Sequence, residues 1–501
     1  MMQRWTDISM LVIARPTSLS DVGVARPDTH LLRILVITAG ICWSILFVIV
    51  GLGYRLQLYG DGSIFSYSIA VEDAWAFHWH NIAGRVFVYL FCYVPAETYV
   101  DLTRDPGGGI VIYGFLFFVA PLLGLTATWV ADRSKGRIMV GYACGSTACL
   151  CPLIFGFPTE VWMAHALFWP ALTLCHYAPR RIGGTIAVFM ALLALAFTHE
   201  GALIFVVTIL ATLLLRGRGD AAFIRAACIF LVVLSIWILV RAIFAPDAYF
   251  AGMFERAALH VFDLSIFTGD LARLLFAVFA TYAIAVCILW RLSAASATTY
   301  GVAIVAVGLA TYWLWFDHTL HADNRYYMRT IVLIATPLLG ALAASYAVRA
   351  EGHVTLITPV ALRLLSVLEG GIMVRAAAGA LLLVMLVHVV EATKFVGAWT
   401  QYKEAVGALA VGVASDPDLG DPHFVSSARI APDLNRLSWS STTHFLSVLA
   451  APNFAPSRLV LDATANYFWL ACKTATDNEL KHRSIPIEGR RLVRVYACLH
   501  R

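Results

Sequence analysis

About eleven apolar runs, most of them flanked by arginine, dictate what this chain can fold into. They fall at 31–53, 108–131, 138–156, 161–178, 183–199, 201–215, 221–244, 271–290, 300–316, 330–348 and 376–392. Runs of this length suit helices crossing a hydrocarbon layer roughly 30 Å thick. Composition agrees: 60% of the 501 residues are hydrophobic and 13% charged, against about 45–50% and about 25% in soluble domains. The expected class is an all-α polytopic membrane protein with about eleven transmembrane helices. The runs at 183–199, 201–215 and 300–316 are short for spans, so their boundaries are soft. A net charge of +5 is modest and calls for no nucleic-acid partner.

Basic residues set the threading, because loops on the cytoplasmic side are rich in Lys and Arg. Arg133, Lys135 and Arg137 mark one such loop, Arg180 and Arg181 a second, and Arg216, Arg218 and Arg225 a third. Arg291, then Arg349, Arg363 and Arg375, continue the series. The run at 31–53 is too long for the core of a cleavable signal peptide and lacks a small-residue cleavage site, so it reads as a retained first span. Residues 82–100 are apolar enough to span, but counting them would put the basic loop at 132–137 on the wrong side. Parity predicts one external loop, 54–107, whose second half is an interfacial helix suited by Arg85, Glu97 and its aromatics. The domains expected are a cytoplasmic segment 1–30, a membrane domain 31–392, and a periplasmic domain 393–501. The N-terminus is expected in the cytoplasm and the C-terminus in the periplasm, and the single-chain topology without organellar signals favours a bacterial inner membrane.

The C-terminal part carries turn residues and β-like runs at 458–462, 466–471 and 491–498, which predict a small α/β domain. Cys472 and Cys498 each end such a run, and are open between a disulfide and two buried thiols. Eight of the ten cysteines lie in or beside apolar runs. Cys144, Cys149 and Cys151 have metal-like spacing but sit among Gly and Ser, which favours close helix packing.

Ionisable residues at the outer ends of spans are the place to look for chemistry, since such charges are costly unless used. The first loop opens with Asp61, Tyr67, Glu72 and Asp73. Asp61 and Glu72 are eleven residues apart, hence on one helical face but about 16 Å apart along it. Asp61 also suits a helix N-cap. His78 and His80 make a weak metal pair without a third ligand. Glu160 stands in a tight hairpin with His165 about one turn later, and the pair His199–Glu200 is wedged between two apolar runs. The last cluster runs from Asp317 through His318, His321 and Asp323 to Arg325 and Arg329. Arg325 and Arg329 share a helical face, and arginine pairs suit phosphate, which they grip through parallel hydrogen bonds. Interfacial anchoring beside Tyr326 and Tyr327 is the alternative for that pair.

This arrangement resembles the GT-C superfamily of membrane glycosyltransferases, which includes protein O-mannosyltransferases and aminoarabinose transferases. The likeness lies in the retained first span, the long first external loop with Asp61 just after it, the acidic external hairpins at Glu160 and Glu200, and the external C-terminal domain. The adjacent acid pair usual in that loop is not reproduced, since Gly62 follows Asp61 and Glu72–Asp73 comes later. The resemblance implies transfer of a sugar from a polyprenyl-phosphate carrier to a glycan, lipid or protein acceptor. A phosphate leaving group needs no proton, so a single carboxylate base suffices. Asp61 is the expected base, with Glu160 and Glu200 next, while Arg325 and Arg329 hold the phosphate with His199 assisting. Glu72, Asp73, Tyr67 and Asp323 are the further expected substrate contacts. Some members use a divalent cation and others none, and this sequence leaves that open.

Three other readings are to be weighed. An O-antigen polymerase or ligase has similar outer-face Arg and His, but carries its large loop late in the chain. A transporter predicts ionisable residues near mid-membrane and often matching halves. A non-catalytic assembly factor would tolerate changes in the outer acids.

Overall fold

The computed structural model describes residues 27–70, 83–150, 159–244, 325–352, 371–415, 423–432, 442–451 and 459–461, with isolated positions between them. Helices dominate. In chain order they are α1 (Pro27–Gly53), α2 (Asp61–Ala70), a composite helical segment α3 (83–103), α4 (Pro106–Ala131), α5 (Ile138–Leu150) and α6 (Glu160–Tyr177). There follow α7 (Ile182–Ala196), α8 (Ala202–Leu214), α9 (Ala221–Ile243), α10 (Arg325–Ala350), α11 (Gly371–Ala414) and α12 (Thr443–Leu449). Among the described residues four stretches are long and apolar enough to cross a membrane: Leu32–Gly53, Pro106–Ala131, Ala221–Ile243 and Ala377–Val413. The expected runs at 271–290 and 300–316 lie outside the described residues, and each of the others coincides with a helix. Not all of these helices are long. α5, α7 and α8 have 13, 15 and 13 residues, a rise of about 20 Å each.

Close contacts set the direction of each helix. α1 and α5 run the same way: a Cβ on Gly136, just before α5, would stand 3.2 Å from the Arg33 side chain, and one on Gly40 would stand 2.6 Å from the Cys144 backbone. Small residues let these two helices approach closely, which is how the Cys144 cluster is used. Cys144 and Cys149 are free thiols, and Cys151 lies outside the described residues. α11 lies parallel to α1, with Trp43 Nε1 donating to Met385 Sδ (2.9 Å) and Trp399 Nε1 to the Tyr54 carbonyl (3.0 Å). α4 and α6 run the opposite way to α1, and Gly124 meets the Ala166 backbone. α10 packs on α6 through Gly340 and Phe168, and on α5 through Tyr346 and Tyr142.

The bundle therefore has two ends of different character. At the basic end lie Arg133, Lys135, Arg137, Arg180, Arg181, Arg216 and Arg225. There Arg225 donates to the Ala178 and Pro179 carbonyls (3.0 and 2.8 Å), Arg216 to the His176 carbonyl (3.2 Å), and Arg216 pairs with Asp220 (3.4 Å). At the other end stand Asp61, Glu160 and Glu200. α1 finishes and α4 begins at this acidic end.

Between α1 and α4 in the chain comes α3, made of a 3₁₀ turn (Ala83–Arg85), one α-turn (Val86–Val88), a π-turn (Tyr89–Tyr93) and an α-helix (Val94–Thr103). The π-turn precedes Pro95, which has no N–H to give an α-helical bond. Val88, Cys92, Ala96 and Val100 recur every four residues and are buried, while Leu90 and Leu102 are exposed. The buried stripe follows the first turns of α4 with opposite sense, Val100 beside Gly109 and Tyr93 beside Tyr113. The segment expected to lie flat thus packs along the bundle, with Arg85 at its deeper end.

α11 passes through the expected boundary at 392 without a break and runs on to Ala414. Its extension carries Trp399 and Tyr402 into a core shared with α2, α3, α12 and a two-stranded parallel sheet. The strands are β1 (His423–Val425) and β2 (Leu459–Leu461), paired with His423 opposite Leu459. The strand expected at 458–462 coincides with β2. Residues 466–471 and 491–498, with Cys472 and Cys498, lie outside the described residues.

Candidate functional site

The three acids singled out by sequence all stand at a helix N-terminus. Asp61 is the first residue of α2 and Glu160 the first of α6, while Glu200 is in the turn that opens α8. Unpaired N–H groups and the helix dipole favour a negative charge at each place. Local sequence explains the starts. Gly60 takes a left-handed φ of 56° just before Asp61, and Thr159 is extended before Glu160. At Glu200 the turn is closed by the Gly201 N–H donating to His199 Nδ1 (3.0 Å) and the Ala202 N–H to the His199 carbonyl (2.9 Å).

What joins two of these acids is Arg85, buried at 5% exposure. Its Nη1 lies 3.0 Å from Glu160 Oε1, and its Nη2 donates to Glu200 Oε2 at 3.3 Å. The Phe87 N–H donates to the Phe197 carbonyl (3.1 Å) and docks the start of α3 on the α7–α8 turn. Arg241, in the last turn of α9, comes within 3.9 Å of Glu200 Oε1 and lies over the Trp237 ring at 4.8 Å. His199 Nδ1 is 4.0 Å from Glu200 Oε2. Burial alone would lower the pKa of Arg85, but Glu160 and Glu200 outweigh it and hold the guanidinium above its usual value. The bridge is thus a charged one, two carboxylates clasping a permanent cation.

The short helices decide its depth. Because α7, α8 and α6 stop short of the ends of α1 and α4, their polar turns lie inside the bundle. Glu160 is within electrostatic range of Cys92, Tyr93 and Tyr113, and Tyr113 is about 10 Å along α4 from Pro106. Asp61 also acts on Tyr113. Both Asp61 and Glu160 thus lie within electrostatic range of Tyr113.

Asp61 is itself 7% exposed and lies in the first turn of its helix rather than capping it. Tyr67 is fully buried, its ring 5.2 Å from Phe445 of α12, which is a packing position between the first loop and the C-terminal segment. His165 accompanies Glu160 in sequence but faces elsewhere, 2.8 Å from Ser146 Oγ on α5 and stacked on Trp162. Arg325 and Arg329 occupy the first two turns of α10, at the acidic end, while their side chains lie outside the described residues. Glu72, Asp73, His78, His80, Asp317, His318, His321 and Asp323 lie outside them as well. Among the described residues no group of three His, Cys, Asp or Glu stands close enough to hold a metal ion.

Sequence reasoning treated Arg85 as an interfacial anchor and passed over Arg241 and Tyr113. A signal for Arg85 was present: an arginine in an apolar stretch on the side poor in positive charge needs a partner. No protein-family model, curated protein or solved structure matches this chain.

Proposed function

We propose that this protein is a GT-C-like membrane glycosyltransferase of the bacterial inner membrane, with its acidic end on the periplasmic side. It moves a sugar from a polyprenyl-phosphate donor to a glycan, lipid or protein acceptor. One observation carries the reading: buried carboxylates from three separate helices gather at one end of an apolar bundle, opposite the basic loops. Positive-inside threading puts the basic end in the cytoplasm and the acids outside. The count of about eleven spans and an α/β fold for the C-terminal domain belong to the same proposal.

The Arg85 bridge supports a division of the acids by role. Glu160 pairs with Arg85, and Glu200 is shared between Arg85 and Arg241, so both serve to fix the site. Asp61, which opens α2 just after the first span, is the base. The acceptor hydroxyl gives its proton to the Asp61 carboxylate while its oxygen bonds to the sugar C1. The C1–O bond to the phosphate breaks, and that oxygen leaves with the electron pair, met by Arg325 and Arg329. No acid is required, since the leaving phosphate is stable as an anion.

The same buried Arg85 bridge also favours a second reading, a transporter, because ionisable residues set back inside a bundle mark substrate and ion paths. One experiment separates the two. Purified protein and its Asp61→Asn variant are assayed with a panel of radiolabelled polyprenyl-phosphate sugars and a lipid and glycan extract. Wild-type transfer with a folded, donor-binding but inactive variant is the expected result. Equal activity in the variant moves the base to Glu200 or Glu72. Absence of both donor binding and transfer in the wild type overturns the enzyme reading.

A further inference from the structure

A second polar feature lies away from the Arg85 cluster, where the first loop, the start of α4 and the C-terminal segment meet. A pocket of about 330 Å³ is lined by Arg55, Gln57, Asp105, Gly107, Gly108 and Phe454, with Leu52 and Val111 forming its apolar wall. That volume falls within the range of ordinary small-molecule sites. Val111 is exposed on the outside of α4, and Leu102, close by at the end of α3, is exposed too. The apolar wall therefore continues onto a surface that lipid would cover.

Three observations point to a ligand carrying both charges. First, Gly107 and Gly108 begin α4 directly after Pro106, so their N–H groups have no helical acceptor. Second, Gln57 is 1% exposed and lines the pocket, yet its Oε1 has no hydrogen-bond partner. A buried amide left this way is costly unless something enters to meet it. Third, the pocket pairs a cation with an anion. Arg55 is held 4.6 Å over the Phe454 ring, with both residues in left-handed backbone conformations (φ 59° and 56°). Asp105 faces the same space, one of its oxygens accepting from Tyr99 OH at 3.3 Å.

We propose that this pocket binds the headgroup of a zwitterionic phospholipid, its phosphate against Arg55 and the α4 N-terminus and its ammonium against Asp105 and Gln57 Oε1. The acyl chains leave past Leu52 and Val111 into the bilayer. A purely anionic ligand would meet the Asp105 carboxylate, which disfavours it. The site is independent of the transfer reaction proposed above.

Native mass spectrometry of the purified full-length protein tests this, titrating phosphatidylethanolamine, phosphatidylglycerol and inorganic phosphate. One molecule of phosphatidylethanolamine should bind roughly tenfold more tightly than phosphatidylglycerol, as charge-assisted hydrogen bonds allow. Asp105→Asn should erase that preference while keeping phosphatidylglycerol binding, because the Asn side-chain carbonyl still accepts from Tyr99. Arg55→Gln should weaken both lipids about tenfold. Equal binding of the two lipids by wild type, or variants that match it, would overturn the proposal. So would inorganic phosphate that displaces the lipid at similar concentration, which would make the site one for free phosphate.

Discussion

Arg85 is the residue on which the acidic end depends most, because it neutralises two carboxylates that solvent hardly reaches. Removing one partner of a buried pair costs about 3–5 kcal/mol, since the other is left charged and unmatched. Arg85→Gln should therefore lower the melting temperature of the purified protein by an amount matching that range. Adding Glu160→Gln to it should recover a part, because the stranded carboxylate is then gone. His444 provides a second residue-level test, in the segment beyond the bundle. Burial pushes its imidazole down to about 3, well below the value of about 6.5 in an unfolded chain. The folded segment then keeps His444 neutral while the unfolded chain takes up a proton. Its stability is whole above pH about 6.5 and is lost as pH falls towards 3, by about 1.4 kcal/mol per pH unit. Limited proteolysis of the C-terminal segment at pH 7.5 and 5 should show faster cleavage at the lower pH, and His444→Phe should flatten the difference. Of these residues, Glu160 and Glu200 were legible in the sequence as acids between apolar runs. Arg85 was seen without its partners, because no local pattern records that residue 85 meets 160 and 200.

Among elements, the contact between α1 and α5 shows how composition becomes packing. Gly40 and the Cys144–Gly145 surface let two backbones meet with almost nothing between them. Gly40→Ala pushes a methyl into the Cys144 backbone, and overpacking of that kind costs about 1–3 kcal/mol. A thermal melt should show Gly40→Ala well below wild type, with Gly141→Ala close to it, since a Cβ there meets open space. The small-residue reading of the cysteine cluster anticipated this contact. The short helices α7 and α8 were also visible as soft boundaries, but their effect was not. A helix about 20 Å long leaves its terminal turn inside a bundle whose neighbours are longer, and that sets Glu200 against Arg85. The course of α3 was misjudged for a related reason. Its apolar face recurs every four residues through a π-turn, and hydropathy alone does not say whether that face meets lipid or another helix.

For the whole molecule, segregation of charge between the two ends is the feature from which the proposed orientation comes. It predicts that Lys135→Cys, on the exposed α4–α5 loop, reacts with a membrane-impermeant maleimide only in inverted membrane vesicles. Ala431→Cys, exposed after β1, should react only in intact spheroplasts, each measured against the parent chain with its own cysteines. Labelling of both from the same side would contradict the threading. The sequence by itself determined the helical class, the positions of most helices, and the separation of basic loops from acidic turns. These follow from local quantities: the length of an apolar run, and the cost of placing charge in hydrocarbon. Only the tertiary structure decided that Glu160 and Glu200 share Arg85, that Tyr67 is a packing residue, and that Arg55 faces Asp105 across a pocket closed by Phe454. Those depend on which distant helix ends come together, and hydropathy, which is the same on every lipid-facing helix, carries no record of neighbours.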